Sequence, residues 1–168
     1  MLRGNNKKVI VINTSPLIAL IAGLDSLDVL NFLFDSVIVP YEVNEEINIL
    51  NSSKFGAEIF NNATFLDKKL EHQNISVYLK NSLDIGEASV IQCALDNNIS
   101  TVCIDEVIGR RIARMNGLQL TGSLGIIVKA IKMGFDADFE KIVYNMKSKN
   151  IYISKRLIHK CMELLNDN

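Results

Sequence analysis

The sequence predicts an α/β fold built on a central, mainly parallel sheet, and three observations carry that prediction. Short runs such as Val9-Ile10-Val11-Ile12 are β-branched and apolar without alternation, as suits strands buried on both faces. Between them lie stretches with apolar residues at helical spacing, so strand and helix alternate in the manner of βαβ units. Turn and cap residues mark the changeovers, beginning with Thr14-Ser15-Pro16.

Taken in order, Lys8 to Asn13 forms the first and most central strand. Ser15 is expected to cap, and Pro16 to begin, a helix through Leu17, Ile18, Leu20 and Ile21. Leu24 to Phe34 reads as a second helix, and Ser36-Val37-Ile38-Val39 as a second strand stopped by Pro40. Tyr41 to Leu50 returns to helical spacing. From Asn51 to Ser82 the pattern weakens, and Ala57, Ile59, Phe60, Phe65, Leu66 and Leu70 are read as a helical register. Asp84 to Asn97 forms a helix, Ser100 to Ile104 a strand, Glu106 to Asn116 a helix and Leu118 to Leu120 a short strand. Ser123 to Met133 is a helix ended by Gly134, and further helices follow near Asp138–Lys147 and Ser154–Leu165. No repeat or low-complexity linker divides the chain, so residues 1–168 are expected to form one domain, with a core at 9–134 and a C-terminal helical extension at 135–168 packed on it.

Hydrophobic residues make up 48% of the chain and charged residues 22%, ordinary for a folded globular protein and unlike a disordered or fibrous one. No apolar run reaches the ~20 residues needed to span a bilayer. The N-terminus from Met1 to Lys8 lacks the apolar stretch of a signal peptide, so a cytoplasmic protein with no membrane partner is expected. Cys93, Cys103 and Cys161 are widely separated within apolar patterns, as buried reduced thiols are. The formal net charge is −1, so a nucleic acid would have to be met by a local patch.

In open parallel sheets, ligands bind beyond the carboxyl ends of the strands. Asn13 and Asp105 stand at two such ends, though Asp105 equally suits a helix N-cap. Glu46 sits at the edge of the apolar stripe Val43, Ile47 and Leu50, whereas Glu45 points away from it. A carboxylate there is costly unless paired, hydrogen-bonded or metal-bound; a partly exposed structural Glu46 is the other reading. Glu87 shares the inward face of Val90, Ile91 and Ala94, and it can also complete a capping box by reaching back to Asp84. Parallel strands would bring Asn13, Glu46, Glu87 and Asp105 to one rim. Carboxylates ~4 Å apart repel by ~4 kcal/mol per pair at an effective dielectric of ~20, and a divalent cation relieves this. Oxygen ligands suit Mg²⁺ or Mn²⁺.

These residues resemble the PIN-domain ribonucleases, especially a VapC-like branch. The matching segments are Ile12-Asn13-Thr14-Ser15-Pro16-Leu17-Ile18-Ala19-Leu20, Val39-Pro40 with Val43-Asn44-Glu45-Glu46-Ile47, and Asp84-Ile85-Gly86-Glu87-Ala88. They continue with Ile104-Asp105-Glu106, Arg110-Arg111 and Leu118-Gln119-Leu120-Thr121-Gly122-Ser123-Leu124-Gly125, in order across most of residues 9–134. The resemblance implies a three-layer α/β/α sandwich, often a homodimer. It also implies a metal-dependent endoribonuclease acting on RNA, frequently the toxin of a toxin–antitoxin pair whose partner covers or disturbs the acidic site. By position, Asn13, Glu46, Glu87 and Asp105 match the catalytic, metal-binding quartet; Thr14 or Ser15 matches the hydroxyl beside the first acid, and Glu106 an outer contributor.

Asn13 departs from the Asp that most such nucleases carry. An amide oxygen can ligate a hard cation but brings no charge, which leaves open an inactive or weak module that binds RNA or an antitoxin. For RNA contact, Arg110 and Arg114 share one helical face with Arg111 nearby, a solvated face being the other reading. His72 and His159 fall outside the acidic constellation. No Gly-x-Gly-x-x-Gly opens a helix after the first strand and no Gly-x-x-x-x-Gly-Lys-Ser/Thr loop is present, which argues against a nucleotide binder.

Overall fold

A computed structural model describes residues 8–50 and 56–167 of the chain. A 5-stranded parallel sheet runs in the order β3-β2-β1-β4-β5, formed by β1 (Val9–Ile12), β2 (Ser36–Val39), β3 (Leu66–Lys68), β4 (Thr101–Cys103) and β5 (Gln119–Thr121). β1 takes the centre because Ile10, Val11 and Ile12 leave it no face to show to water; all three are fully buried. Val11 pairs with Ile38 of β2 on one side and with Val102 of β4 on the other. The three central strands therefore end almost level, and whatever follows them emerges at one rim.

The helices are α1 (Thr14–Leu24), α2 (Asp28–Leu33), α3 (Tyr41–Leu50), α4 (Ala57–Asn62), α5 (Val77–Ser82), α6 (Ile85–Asp96), α7 (Val107–Met115), α8 (Ser123–Lys132), α9 (Phe139–Ser148) and α10 (Lys155–Asn166). They flank the sheet as a three-layer α/β/α sandwich of the PIN-like kind. α1 packs against α8 and α9, with α2 and α10 also against α8, while α6 packs with α3, α5 and α7. The extension docks tightly. A Cβ placed on Gly23 of α1 would lie 2.6 Å from Ile142 Cγ2, so only glycine lets α9 approach this closely. α9 also supplies donors to the end of α1: Asn145 Nδ2 donates to the Gly23 carbonyl at 3.1 Å and Lys149 Nζ to the Ala22 carbonyl at 3.1 Å. Such last-turn carbonyls have no partner within their own helix.

Three local expectations are corrected. Ser15 does not cap α1; Asn13 holds the cap position without a side-chain cap bond, and the Ser15 hydroxyl is taken by Glu106 instead. Leu24 closes α1 rather than opening the next helix, because Asp25 turns left-handed at φ 51° and its N–H returns to the Ile21 carbonyl; α2 begins only at Asp28. Of the helical register read over this stretch, Ala57, Ile59 and Phe60 fall in α4, whereas Leu66 belongs to β3, with Leu66 paired to Val37 and Asp67 to Ile38, and Phe65 and Leu70 lie outside both elements. That strand is an edge, buries Leu66 alone and shows Asp67 to water, so it lacks the run of apolar residues that marks its neighbours. Residues 51–55 of that stretch lie outside the described residues.

Among the described residues, no helix is long and apolar enough to cross a membrane. The three cysteines are free and buried. Packing and capping should separate cleanly in urea unfolding. Leu20→Ala, at a fully buried position, should lower the unfolding free energy by ~2–5 kcal/mol. Asp138→Ala, which removes the acceptor for the Glu140 and Lys141 amides at the start of α9, should cost about 1 kcal/mol.

Candidate active site

Each element that leaves the carboxyl end of a central strand delivers a polar group to the same place. Asn13 follows β1 directly and is buried; its Nδ2 donates to Glu106 Oε2 at 3.4 Å, and its Oδ1 has no hydrogen-bond partner. One residue on, Thr14 Oγ1 donates to Glu46 Oε2 at 2.7 Å. Ser15 Oγ then donates to Glu106 Oε1. Glu46 arrives from α3 because Val43 and Ile47 bury one face of that helix, leaving the carboxylate half-buried at its edge.

α6 brings two more carboxylates. Asp84 caps the helix, its Oδ1 accepting the Glu87 amide at 2.8 Å. Glu87 is buried and its Oε1 has no donor. Among the described residues no bond from the Asp84 amide closes the capping box; the Glu87 side chain lies against the Asp84 carboxyl and feels the charge of Glu106. Gly109 of α7 leaves the space into which Glu87 Oε1 fits, because a Cβ there would collide with it.

Gly86 locates the centre of the cluster. A Cβ built on it would lie 2.8 Å from Glu46 Oε2, 3.3 Å from Asn13 Oδ1 and 3.4 Å from Asp84 Oδ1. One small volume is thus lined by oxygens from three separate elements, and only the missing side chain of Gly86 keeps it clear. Among the described residues, no three acidic, thiol or imidazole groups stand at metal-holding spacing. The oxygens at Gly86 are nevertheless hard donors of the kind a dication takes, and Asn13 Oδ1 among them has no partner.

Of the four residues placed at the rim from sequence, Asn13, Glu46 and Glu87 gather with Asp84 and Glu106. Asp105 turns the other way: its Oδ1 accepts the Ser123 amide at 2.8 Å, so it caps the start of α8. It does not cap α7, whose cap position is held by Glu106 without a side-chain bond. Arg110 is likewise engaged. Its Nη1 donates to the Ile104 carbonyl at 2.8 Å and the Thr121 carbonyl at 3.0 Å, clasping the ends of β4 and β5, whereas Arg111 and Arg114 are exposed. Asp84 was read from sequence only as a cap. The signal that could have placed it was the glycine two residues later, since a small residue in a first helical turn lets an acidic neighbour and a ligand share the space.

Burial, joined by neighbouring charge, raises the proton affinity of Glu87 and Glu46. Burial pushes the Glu87 carboxyl up to about 7, helped by the charges of Asp84 and Glu106. Burial also raises Glu46, against the Thr14 hydrogen bond that lowers it. Asp105 is raised by burial as well, partly offset by Ser123. A raised carboxyl means that the folded state keeps its proton after the unfolded chain has released one. The stability that this proton confers is complete below the ordinary glutamate range and is lost as pH climbs through about 7. With chelator present, the melting temperature should fall between roughly pH 5 and pH 8, and Glu87→Gln should flatten that fall; a slope identical in the variant would remove Glu87 as its source.

Residues 9–167 match the family described as a PIN domain. No curated protein matches the chain.

Proposed function

The chain belongs to the PIN-domain family, whose members are generally nucleases, and from that premise we propose that it is a metal-dependent endoribonuclease of the VapC-like toxin type, hydrolysing RNA phosphodiester bonds. The observation that carries this reading is the cradle at Gly86, where Asn13, Glu46 and Asp84 aim oxygens at one point. Mg²⁺ or Mn²⁺ would be held there by Asn13, Glu46 and Asp84, with Glu87 and Glu106 beside them. Such a cation neutralises charge at the scissile phosphate and makes water a better nucleophile.

The chain's own groups arrange the rest. Thr14 holds the Glu46 carboxylate in one orientation, and Ser15 with the Asn13 amide holds Glu106. A cation there would favour the ionised form of Glu87, whose carboxyl burial holds up to about 7, so its affinity would rise with pH near neutrality. Asp105 and Arg110 keep the β4 and β5 ends and the start of α8 in place, so their part in this reading is to position Glu106. Arg111 and Arg114 offer exposed cations for the RNA backbone. Val107, Ile108 and Met115 are exposed on the same helix, an apolar surface suited to an antitoxin or a second copy of the chain.

Two measurements test the reading. Single-stranded and structured RNAs should be cut in Mg²⁺ or Mn²⁺ and spared in chelator, with Glu46→Gln reducing the rate by roughly 10²-fold or more and leaving the melt intact. Intact RNA across a broad panel with folded protein would leave a binding module in its place. Gly86→Ala should gain helix propensity yet fill the cradle. Calorimetric metal affinity should fall at least about tenfold with no loss of melting temperature, as when a supporting shell is disturbed; unchanged affinity would show that the cradle is not where the cation sits.

A further inference from the structure

The opposite end of the sheet carries a cavity that the acidic rim does not use. It holds about 670 Å³, within the ~300–1,000 Å³ common for small-molecule sites, and lies where β1, β4 and β5 begin, at Val9, Thr101 and Gln119. The chain has 19 acidic and 18 basic residues, yet among the described residues that line this cavity none is acidic, whereas Lys8 and Lys129 both take part. Among the described residues neither lysine forms an ion pair; Lys129 Nζ stands 5.9 Å from the centre of the Phe34 ring, itself part of the wall. Asp35, the acid beside Phe34 in the chain, has its carboxylate on the Lys8 amide at 2.7 Å and lies outside the lining. Two unpaired cations in a concave wall raise the local potential, and no opposite charge in that wall offsets them. The remaining walls suit a flat body with a polar edge. Val9, Leu120 and Ile126 give apolar surface beside the Phe34 ring, while the side-chain amides of Asn98 and Gln119 each offer a donor and an acceptor.

We propose that this cavity is a nucleotide site separate from the rim, taking a nucleoside 5′-monophosphate, free or as the end of an RNA strand, with the phosphate at Lys8 and Lys129 and the base against Phe34. Two cations match the two charges that a phosphate monoester carries near neutral pH. A bare sugar phosphate would satisfy the lysines but leave the apolar wall uncovered, whereas a base covers it and brings ring nitrogens and exocyclic groups to the amides. The site stands apart from the nuclease reading, because it lies at the amino ends of strands whose carboxyl ends lead to the cradle.

Calorimetric titration of the full chain with adenosine 5′-monophosphate, in chelator so that no cation loads the cradle, tests this. The monophosphate should bind about tenfold or more tighter than adenosine, inorganic phosphate or ribose 5-phosphate. Lys129→Gln should weaken it by about tenfold with the melt unchanged, while Lys147→Gln, at an exposed lysine of α9 outside the cavity, should leave it as it was. Backbone amide shifts on titration should fall at Ser100, Thr101 and Gln119. No binding, equal loss in both lysine variants, ribose 5-phosphate binding as tightly as the nucleotide, or shifts centred on Asn13 and Glu46 would each overturn the site. Competition by a 5′-phosphorylated RNA oligonucleotide, and not by its 5′-hydroxyl counterpart, supports the site with an RNA end as its ligand; competition by neither supports it with the free nucleotide, and equal competition by both overturns the part given to the terminal phosphate. Cleavage is read in Mg²⁺ or Mn²⁺ and this binding in chelator, so either reading can fail while the other stands.

Discussion

Parallel hydrogen bonding on both sides of β1 is the constraint from which the acidic rim follows. Strands that run the same way must all release their chains at the same end, and each of the three central ones here is followed at once by a helix or its cap. Val11 is level with Ile38 and with Val102, so Asn13, the start of α3 and the Ile104–Glu106 turn are brought within one side-chain length of one another. A shift of either neighbour by one residue would turn its side chains to the opposite face of the sheet and scatter these groups. The apolar strands therefore fix the site more firmly than any contact among the polar residues themselves.

Gathering several carboxylates at a rim opposes folding, and the structure shows how that opposition is met locally. Thr14, Ser15 and the Asn13 amide each give a hydrogen to one of the acids, and the amide of Glu87 gives one to Asp84. The N-termini of α1, α6 and α7 open toward the cluster, so their unpaired N–H groups add a favourable field for negative charge. What is left uncompensated is concentrated on two oxygens, Asn13 Oδ1 and Glu87 Oε1. Asn13 itself lightens the load, since an aspartate there would place another charge beside Glu106.

Much of the fold was legible because burial on both faces leaves a plain mark. Val9 to Ile12 and Ser36 to Val39 could only be inner strands, and the caps at Asp84, Asp138 and Ser154 appear where the side chains could reach forward to later amides. β3 was not legible, since an edge strand of a few residues needs one apolar anchor and leaves no period to read. The rim itself could be anticipated from the strand ends. Which of two adjacent acids turns into it could not: Asp105 and Glu106 lie in a turn without periodicity, and the choice is settled by the Ser123 amide drawing one away and Ser15 holding the other. Arg110 looked like a surface cation because its nearest acceptors, the carbonyls of Ile104 and Thr121, belong to strand ends that only the folded sheet sets side by side.

The grip of α9 on the end of α1 has a reach beyond packing. α1 carries Thr14 and Ser15 at its front, while its rear carbonyls are held by Asn145 and Lys149 from the far end of the chain, with Lys149 also 2.7 Å from Asp25. A rod held at both tips can neither slide nor roll. The aim of two hydroxyls at the rim is thus governed in part from the last quarter of the polypeptide, and a nascent chain cannot bring its opening helix into final alignment until that quarter has been made.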